Sequence, residues 1–364
     1  MIDVMREVTL ATSGQFTRIH IECGALNHIG EYLSKENPPH LVVVVSDTNV
    51  WPLYGERVCR SLEVRDITHR SHVVAPGDGS KSLVELERLL NAIADAGMNR
   101  DGMLLAVGGG VVTDLTGFAA SIWMRGIAYV NCPTTLEACI DAAIGGKTGI
   151  NHPRGKNLIG AFHHPQCVMI DPDCLSTLER RDVAAGLAEC VKHACIADRE
   201  LLAWYEDNVE AILDVSPGVT EELIARNVAI KAGVVEQDER EHGRRAILNF
   251  GHTLGHAIEQ YHQYALRHGE AVSLGMVCAT RISQALGGID KADADRIESM
   301  LVRMGLPISM SGADCDAIHA LTHSDKKIRE GRRRWVLLKG IGATQIRDDV
   351  PESVIRDALQ SIIQ

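Results

Sequence analysis

Aromatic residues make up only 4% of this 364-residue chain. So few rings leave no series of stacking platforms for bases. Charge runs the wrong way for nucleic acid as well: 37 Lys and Arg stand against 48 Asp and Glu, a formal net charge of -11. A duplex-binding face needs a basic stripe, and the sequence shows none, although a local cationic pocket is compatible with an acidic whole. No run approaches the roughly 20 apolar residues of a membrane span. The opening residues, MIDVMREVTL, carry acids early and no apolar stretch, so no signal peptide is expected. Ten cysteines are scattered without a C-x-x-C pair. That is the usage of reduced, mostly buried thiols in a cytoplasmic protein.

What is present is ordinary globular composition, 45% hydrophobic and 23% charged, long enough for two domains. The first half alternates. LVVVVSD (41–47) is a continuous β-branched run, the mark of a strand buried on both faces. Residues 17–24, 71–79, 102–110, 127–135 and 166–173 read as further strands, and SLVELERLLNAIADAG (82–97) as a helix ending at Gly97. Strands separated by helical patterns predict βαβ units and a largely parallel sheet. From Ser176 onward the pattern becomes helical, over 178–196, 217–237, 252–263, 269–286, 292–304, 313–323 and 351–363. A hairpin is expected over 332–348. We therefore expect an α/β Rossmann-like nucleotide-binding domain over 1–176 and a mainly α-helical metal- and substrate-binding domain over 177–364.

VGGGVVTDLTG (107–117) follows a strand and opens a helix. Glycines there let backbone approach a phosphate, and a helix N-terminus offers free N–H groups. The spacing is not G-x-G-x-x-G, so it is not the usual dinucleotide fingerprint. Three more turns end predicted strands, where α/β sheets bind ligands: SDTNV (46–50), PGDGSKS (76–82) and CPTTL (132–136). Asp47 or Asp78 can accept from a ribose hydroxyl, Asn49 and Lys81 can donate, and Thr134 and Thr135 present hydroxyls. Each of these types is also favoured in turns for local reasons.

Lys147, Lys156 and Asn157 cluster in a segment too Gly-rich for a regular helix. Such lysines suit an anionic oxygen ligand, most simply phosphate. Glu189 and Lys192 lie at i,i+3 on an apolar helix, where a carboxylate needs an ion-pair partner, a metal or a proton-transfer role. Lys231 interrupts the apolar run VAIKAGVV (228–235). Arg245, Asn249, His252 and His256 follow at 4-3-4 spacing, but Gly251 breaks a continuous helix, so the helix is expected to start near His252. Imidazole and carboxylate are ordinary zinc ligands. Spacing alone leaves His252 with His256 and His252 with His268 equally open as the metal pair.

These residues bring a family into view. GGGVVTDLTGF, PTTLEACIDAAIGGKTGINHPRGKNLIGAF, GLAECVKH, KAGVVEQDERE, LNFGHTLGHAIE and RHGEAVSLGM, in this order over roughly 41–340, resemble the 3-dehydroquinate synthases of the sugar-phosphate cyclase superfamily. The resemblance implies zinc, or cobalt, held by Glu189, His252 and His268. It turns His256 to the substrate phosphate, together with Lys147, Asn157, Asn249 and Arg125 of a neighbouring subunit in a homodimer. It gives the substrate carboxylate to Lys231 and Arg245. Asp141, Lys192 and Lys156 would line the reacting carbons, and Lys326 or Lys327 would close the pocket. NAD would be held by Asp47, Asn49, Asp78, Lys81, Gly109, Gly110, Asp114, Thr134, Thr135 and Thr177, with Lys147 and Lys156 beside it.

The implied reaction turns 3-deoxy-D-arabino-heptulosonate 7-phosphate into 3-dehydroquinate and phosphate in the shikimate pathway of aromatic amino acid biosynthesis. It does so by transient NAD-mediated oxidation, phosphate elimination, reduction and intramolecular aldol closure. Departures from the family pattern are Asp78 in place of Glu, Ala142-Ala143 in place of Ser-Ser, Trp123-Met124 before Arg125, and His193 after Lys192. The competing readings are an amino-dehydroquinate, valiolone-type or inosose-type cyclase, a metal-dependent alcohol dehydrogenase, and a catalytically dead binding module. Two cations set for a carboxylate speak for an acidic sugar substrate.

Overall fold

The computed structural model describes residues 6–35, 38–322 and 333–364. The chain forms two compact units: Met1–Leu178 with Thr220–Arg240, and Glu179–Val219 with Glu241–Gln364.

In chain order the first unit runs β1 (Arg6–Thr12), β2 (Gln15–Ile21), α1 (Ile29–Lys35), β3 (Val42–Asp47), α2 (Glu56–Glu63), β4 (His69–Val74), α3 (Leu83–Asp95), β5 (Met103–Gly108), α4 (Gly110–Ile122), β6 (Ala128–Pro133), β7 (Lys147–His152), β8 (Gly155–Phe162) and β9 (Cys167–Ile170). Seven of these strands form one sheet in the order β1-β2-β9-β6-β5-β3-β4. Only the β1–β2 pair is antiparallel.

The β-branched run explains the layering. Successive side chains of a strand point to opposite faces. Val42 and Val44, with Leu105 and Val107, pack against Ile29 and Leu33 of α1 and Val58 and Leu62 of α2. Val43 and Val45, with Leu104 and Ala106, pack against Leu86, Leu89 and Ile93 of α3 and Val112 and Leu115 of α4. Each such burial stabilises by about 1.5–3 kcal/mol, so both faces of the central strands must be apolar. The chain leaves β3 for β4 on one side, then crosses back to place β5 on the other. That reversal puts a crevice at the carboxyl ends of β3 and β5, the place where open α/β sheets take ligands.

Two elements of this unit go beyond the sequence expectation. Residues 6–12 form the edge strand β1, which the sequence pattern does not assign. The glycine-bearing segment after Ile144, for which the sequence pattern excludes only a regular helix, is a register-paired antiparallel hairpin, β7 with β8. Glycine supplies that pairing: Gly149 lies opposite Gly160, and a Cβ on Gly160 would stand 2.2 Å from the Thr148 carbonyl oxygen.

The second unit is built from α5 (Arg180–Ala197), α6 (Arg199–Leu213), the first residues of α7 (Pro217–Gln237), α8 (His252–Tyr261), α9 (His268–Ala285), α10 (Lys291–Arg303), α11 (Cys315–Leu321), the hairpin β10 (Trp335–Gly340) with β11 (Ala343–Arg347), and α12 (Glu352–Gln360). Helix α9 is the hub, packed against α5, α8, α10 and α12. The sequence pattern places no helix over 199–213. Yet Asp198 caps α6 by accepting from the Leu201 N–H at 2.9 Å. Leu201, Leu202, Tyr205, Val209 and Ile212 then bury one face of it. The signal, a cap followed by 3–4 spacing, is diluted by the charged opposite face. No described helix is long and apolar enough to cross a membrane.

Candidate active site

In the first unit the predicted nucleotide residues fall at the carboxyl ends of the sheet. Asp47 closes β3, and its Oδ1 accepts from the N–H groups of Asn49 (2.8 Å) and Val50 (3.0 Å). Gly109 precedes α4. A Cβ there would meet Thr135 Cγ2 at 3.2 Å, so the loop after β5 lies tight against the turn after β6. Gly110 begins α4 one residue later. Thr135 Oγ1 accepts from the Ala138 N–H at 3.3 Å, at the start of the single π turn Ala138–Ala142 that carries Asp141. Thr134 is buried, and its hydroxyl finds no partner among the described residues. A buried hydroxyl without a partner is costly and fits a site completed by a polar ligand. Thr177 is hydrogen-bonded to the Tyr54 hydroxyl at 2.7 Å and donates to the Cys174 carbonyl.

Asp78 opens the short 3-10 turn Asp78–Ser80 and has Lys156 Nζ 3.5 Å from its Oδ2. Lys81, almost fully buried, donates to both the Asp114 carboxylate and Asn157 Oδ1. Burial pushes the Asp114 carboxyl above the ordinary value, and Lys81 opposes that shift. Lys156 and Asn157 of the predicted phosphate cluster are thus in direct contact with the predicted nucleotide turn within one unit. Lys147 begins β7, exposed, while Lys156 and Asn157 lie in β8. Lys231 of α7 is buried and ion-paired with Asp141. Arg125 ends α4's trailing 3-10 turn with φ 70, next to Met124 at φ 47.

The second unit holds the histidines. Glu189 and Lys192 sit on α5, 0% and 1% exposed. The two Glu189 oxygens divide the work that the sequence leaves open. Oε2 accepts from Lys192 Nζ. Oε1 faces His252 Nε2 at 3.5 Å and His268 Nε2 at 3.7 Å. The opposite ring nitrogens are held: His252 Nδ1 lies 3.1 Å from the Phe250 carbonyl, and His268 Nδ1 lies 3.3 Å from Glu259 Oε2. A ring held at Nδ1 by a carbonyl or carboxylate presents Nε2 as the ligand atom, the arrangement of metal-binding imidazoles. The donor set of one carboxylate oxygen and two Nε2 atoms fits a catalytic zinc or cobalt site with an open position.

His256 is close as well, with ring centroids 5.3 Å from His252 and 5.9 Å from His268. The three histidines can bring ring nitrogens within 4.8 Å of one another. Glu189 Oε1 distinguishes the pair His252 and His268 from it. Helix α8 begins at His252, with Gly251 in the left-handed region as its cap, as the sequence pattern predicts. Arg245, 1% exposed, and Asn249 lie in the preceding 3-10 turn, Asn249 donating to Glu241 Oε1 at 2.5 Å. Lys326 and Lys327 lie outside the described residues. His262 is half-buried.

Two polar groups are not singled out by the sequence pattern. Glu259 is buried against His268, and its position seven residues after His252, on the same face of α8, is the available signal. Asn151, inside GINHPRGKN, contacts Asp78 and Asn157, and no spacing rule points to it. The cysteines behave as expected of buried thiols. Seven are buried, and burial pushes Cys167, Cys195 and Cys278 up to about 12.

Family models for the 3-dehydroquinate synthase N-terminal and C-terminal regions match residues 71–185 and 186–328. A 3-dehydroquinate synthase of Nostoc punctiforme is 42% identical over 96% of this chain and 97% of its own. One of Acidithiobacillus ferrooxidans is 43% identical over 89% of each. Among solved structures, the 2-epi-5-epi-valiolone synthase of Streptomyces hygroscopicus subsp. jinggangensis, with NAD+ and Zn2+ bound, superposes with a TM-score of 0.88 at 29% identity, covering 97% of this chain and 98% of that one. A 2-deoxy-scyllo-inosose synthase complexed with carbaglucose-6-phosphate, NAD+ and Co2+ gives 0.88 at 25% identity, over 98% and 100%. A glycerol dehydrogenase of Schizosaccharomyces pombe, at 19% identity and 0.66 over 93% and 87%, shares the fold. With both halves matched in sequence and the relatives aligned over nearly their full lengths, the chain belongs to the 3-dehydroquinate synthase family.

Proposed function

We propose that this chain is an NAD- and divalent-metal-dependent 3-dehydroquinate synthase, a phosphorus–oxygen lyase acting on 3-deoxy-D-arabino-heptulosonate 7-phosphate. The observation that carries the reading is Glu189, whose buried Oε1 faces the Nε2 atoms of His252 and His268. The family supplies the substrate, and the relatives with NAD+ and Zn2+ or Co2+ bound support the cofactors.

When bound, the nicotinamide supplies a transient oxidation that is later reversed, and the metal acidifies the substrate hydroxyl and polarises the carbonyl. The protein's own residues do the rest. In the first unit Lys231 meets the substrate carboxylate, while Lys147 and Asn157 stabilise the departing phosphate. Asp141 and Lys156 orient the reacting hydroxyls. Asp47, Asn49, Asp78, Lys81, Gly109, Gly110, Asp114, Thr134, Thr135 and Thr177 hold the nucleotide. In the second unit Glu189, His252 and His268 take the metal, and Lys192 neutralises the second Glu189 oxygen. Arg245 joins the carboxylate, and Asn249 and His256 the phosphate. Arg125 acts on the phosphate of a neighbouring subunit in a cytoplasmic homodimer.

The structural likeness to valiolone and inosose synthases keeps one other reading in play, a cyclase for a neutral sugar phosphate. Lys231 and Arg245, two buried cations suited to a carboxylate, favour the acidic one. The test is phosphate release by the purified chain with NAD+ and zinc. Turnover of the heptulosonate supports the proposal. Turnover of sedoheptulose 7-phosphate without it sinks the proposal and selects the neutral-sugar reading.

A further inference from the structure

One side chain with no part in the proposed roles ties the nucleotide turn to the cation hairpin. Asn151 lies in β7. Its backbone N–H donates to the Lys81 carbonyl at 2.8 Å. Its Nδ2 donates to Asp78 Oδ2 at 2.8 Å and to the Asp78 carbonyl at 3.3 Å. Its Oδ1 accepts from the Asn157 N–H at 3.0 Å. Lys81 closes the circle by donating to Asn157 Oδ1 while also holding Asp114. Asn157 sits at φ 53, a left-handed conformation that costs energy outside glycine and is tolerated by Asn.

The chemistry singles out an amide at 151. The position needs a donor toward a carboxylate and an acceptor toward a backbone N–H, from opposite ends of one planar group. Aspartate lacks the donor and would set a second carboxylate against Asp78. Alanine supplies neither bond.

We infer that Asn151 is a positioning residue whose side-chain amide sets Asp78 and Asn157, and through Asn157 the Lys81 ammonium, in one register, so that the cofactor turn and the phosphate-binding hairpin are organised by the same amide. The inference rests on the roles proposed above for those three residues. Hydrogen bonds in such a closed network support one another, so loss of the amide loosens both ligands.

The test uses the full chain with NAD+ and zinc, comparing wild type, Asn151→Ala and Asn151→Asp. For Asn151→Ala the KM values for NAD and for the heptulosonate phosphate rise together, by roughly 5–10-fold for the lost side-chain hydrogen bonds, while kcat stays within about 3-fold. Asn151→Asp keeps the acceptor for the Asn157 N–H. It therefore recovers the substrate KM in part while its NAD KM stays raised. In Asn151→Ala, a rise in one KM alone, a fall in kcat with both KM values unchanged, or no change at all overturns the inference, as does an Asn151→Asp substrate KM no lower than that of Asn151→Ala. Amide exchange on the ligand-free protein separates this from failure of the functional reading. If wild type neither binds NAD nor releases phosphate, the functional reading falls. Exchange then decides the positioning claim: roughly 5-fold faster exchange of the Asn157 N–H in Asn151→Ala supports it, and an unchanged rate overturns it.

Discussion

Gly269 lies against the backbone of Ala185 so closely that a Cβ would stand 1.9 Å from the Ala185 carbonyl oxygen. This contact sets the distance between α9 and α5, and His268 is the adjacent residue. Gly269→Ala must push the helices apart and carry His268 away from Glu189. We expect a loss of about 1–3 kcal/mol in stability from overpacking and a fall of roughly 10-fold or more in zinc affinity. Thermal unfolding and competition with a chromophoric chelator measure the two. Wild-type values for both would show that the contact does not set the site.

The division of the histidines is checked by metal content. Glu189→Ala, His252→Ala and His268→Ala each lose a ligand from a three-residue site and should retain well below ~0.1 equivalent of zinc after dialysis. His256→Ala should keep about one equivalent and lose turnover. Zinc lost on His256→Ala and kept on Glu189→Ala would move the site to the three histidines.

Lys231 and Arg245 are predicted to serve substrate and not cofactor. Lys231→Ala and Arg245→Ala should each raise the KM for the heptulosonate by at least about 10-fold, the order expected for a lost charge-assisted hydrogen bond. NAD affinity, read by titration calorimetry, should stay near wild type. Equal losses for both ligands would mark these cations as structural, in line with the Lys231–Asp141 ion pair.

Arg125 is proposed to act across a dimer. Mixing Arg125→Ala with Lys147→Ala subunits should then restore activity, because a hybrid dimer holds one site with both residues intact. Random exchange predicts about a quarter of wild-type activity. No recovery, or full activity in a sedimenting monomer, removes the role.

His20 offers a pH test away from the site. Burial lowers its imidazole below the ordinary value of 6.5, with Glu7 opposing. The folded state therefore resists protonation more than the unfolded one. The stability this contributes is fully present above about 6.5 and is lost as pH falls through the depressed folded value. Denaturant unfolding of His20→Gln should lose less stability between pH 7.5 and 5 than wild type. Parallel pH profiles for the two proteins would show that another group is responsible.

Much of this protein is legible in its amino-acid sequence. The run Val42–Val45 reads as a doubly buried strand because apolar side chains on both faces leave a continuous signature. Gly251 reads as the break ahead of α8 because a cap interrupts helical spacing. The family motifs carry the proposed list of site residues, since their order along the chain is a one-dimensional property.

Other features are not legible that way. The hairpin β7–β8 does not read as paired strands because its glycines serve close backbone pairing, which composition does not distinguish from a loop. Helix α6 is hidden by the charge on its outer face. Glu259 and Asn151 acquire meaning only through partners that folding brings near, His268 and the Asp78–Lys81 turn.

The sequence by itself determined which chemistry is available: a parallel sheet ending in glycines and hydroxyls, a set of buried cations, and a carboxylate with histidines enough for a metal. Tertiary structure decided how these are divided. Spacing left His252 free to pair with His256 or with His268, because periodicity reports only neighbours along one helix. The packing of α5, α8 and α9 settles which ring atoms face the same Glu189 oxygen, since an oxygen carried on a third helix selects by distance in space rather than by position along the chain.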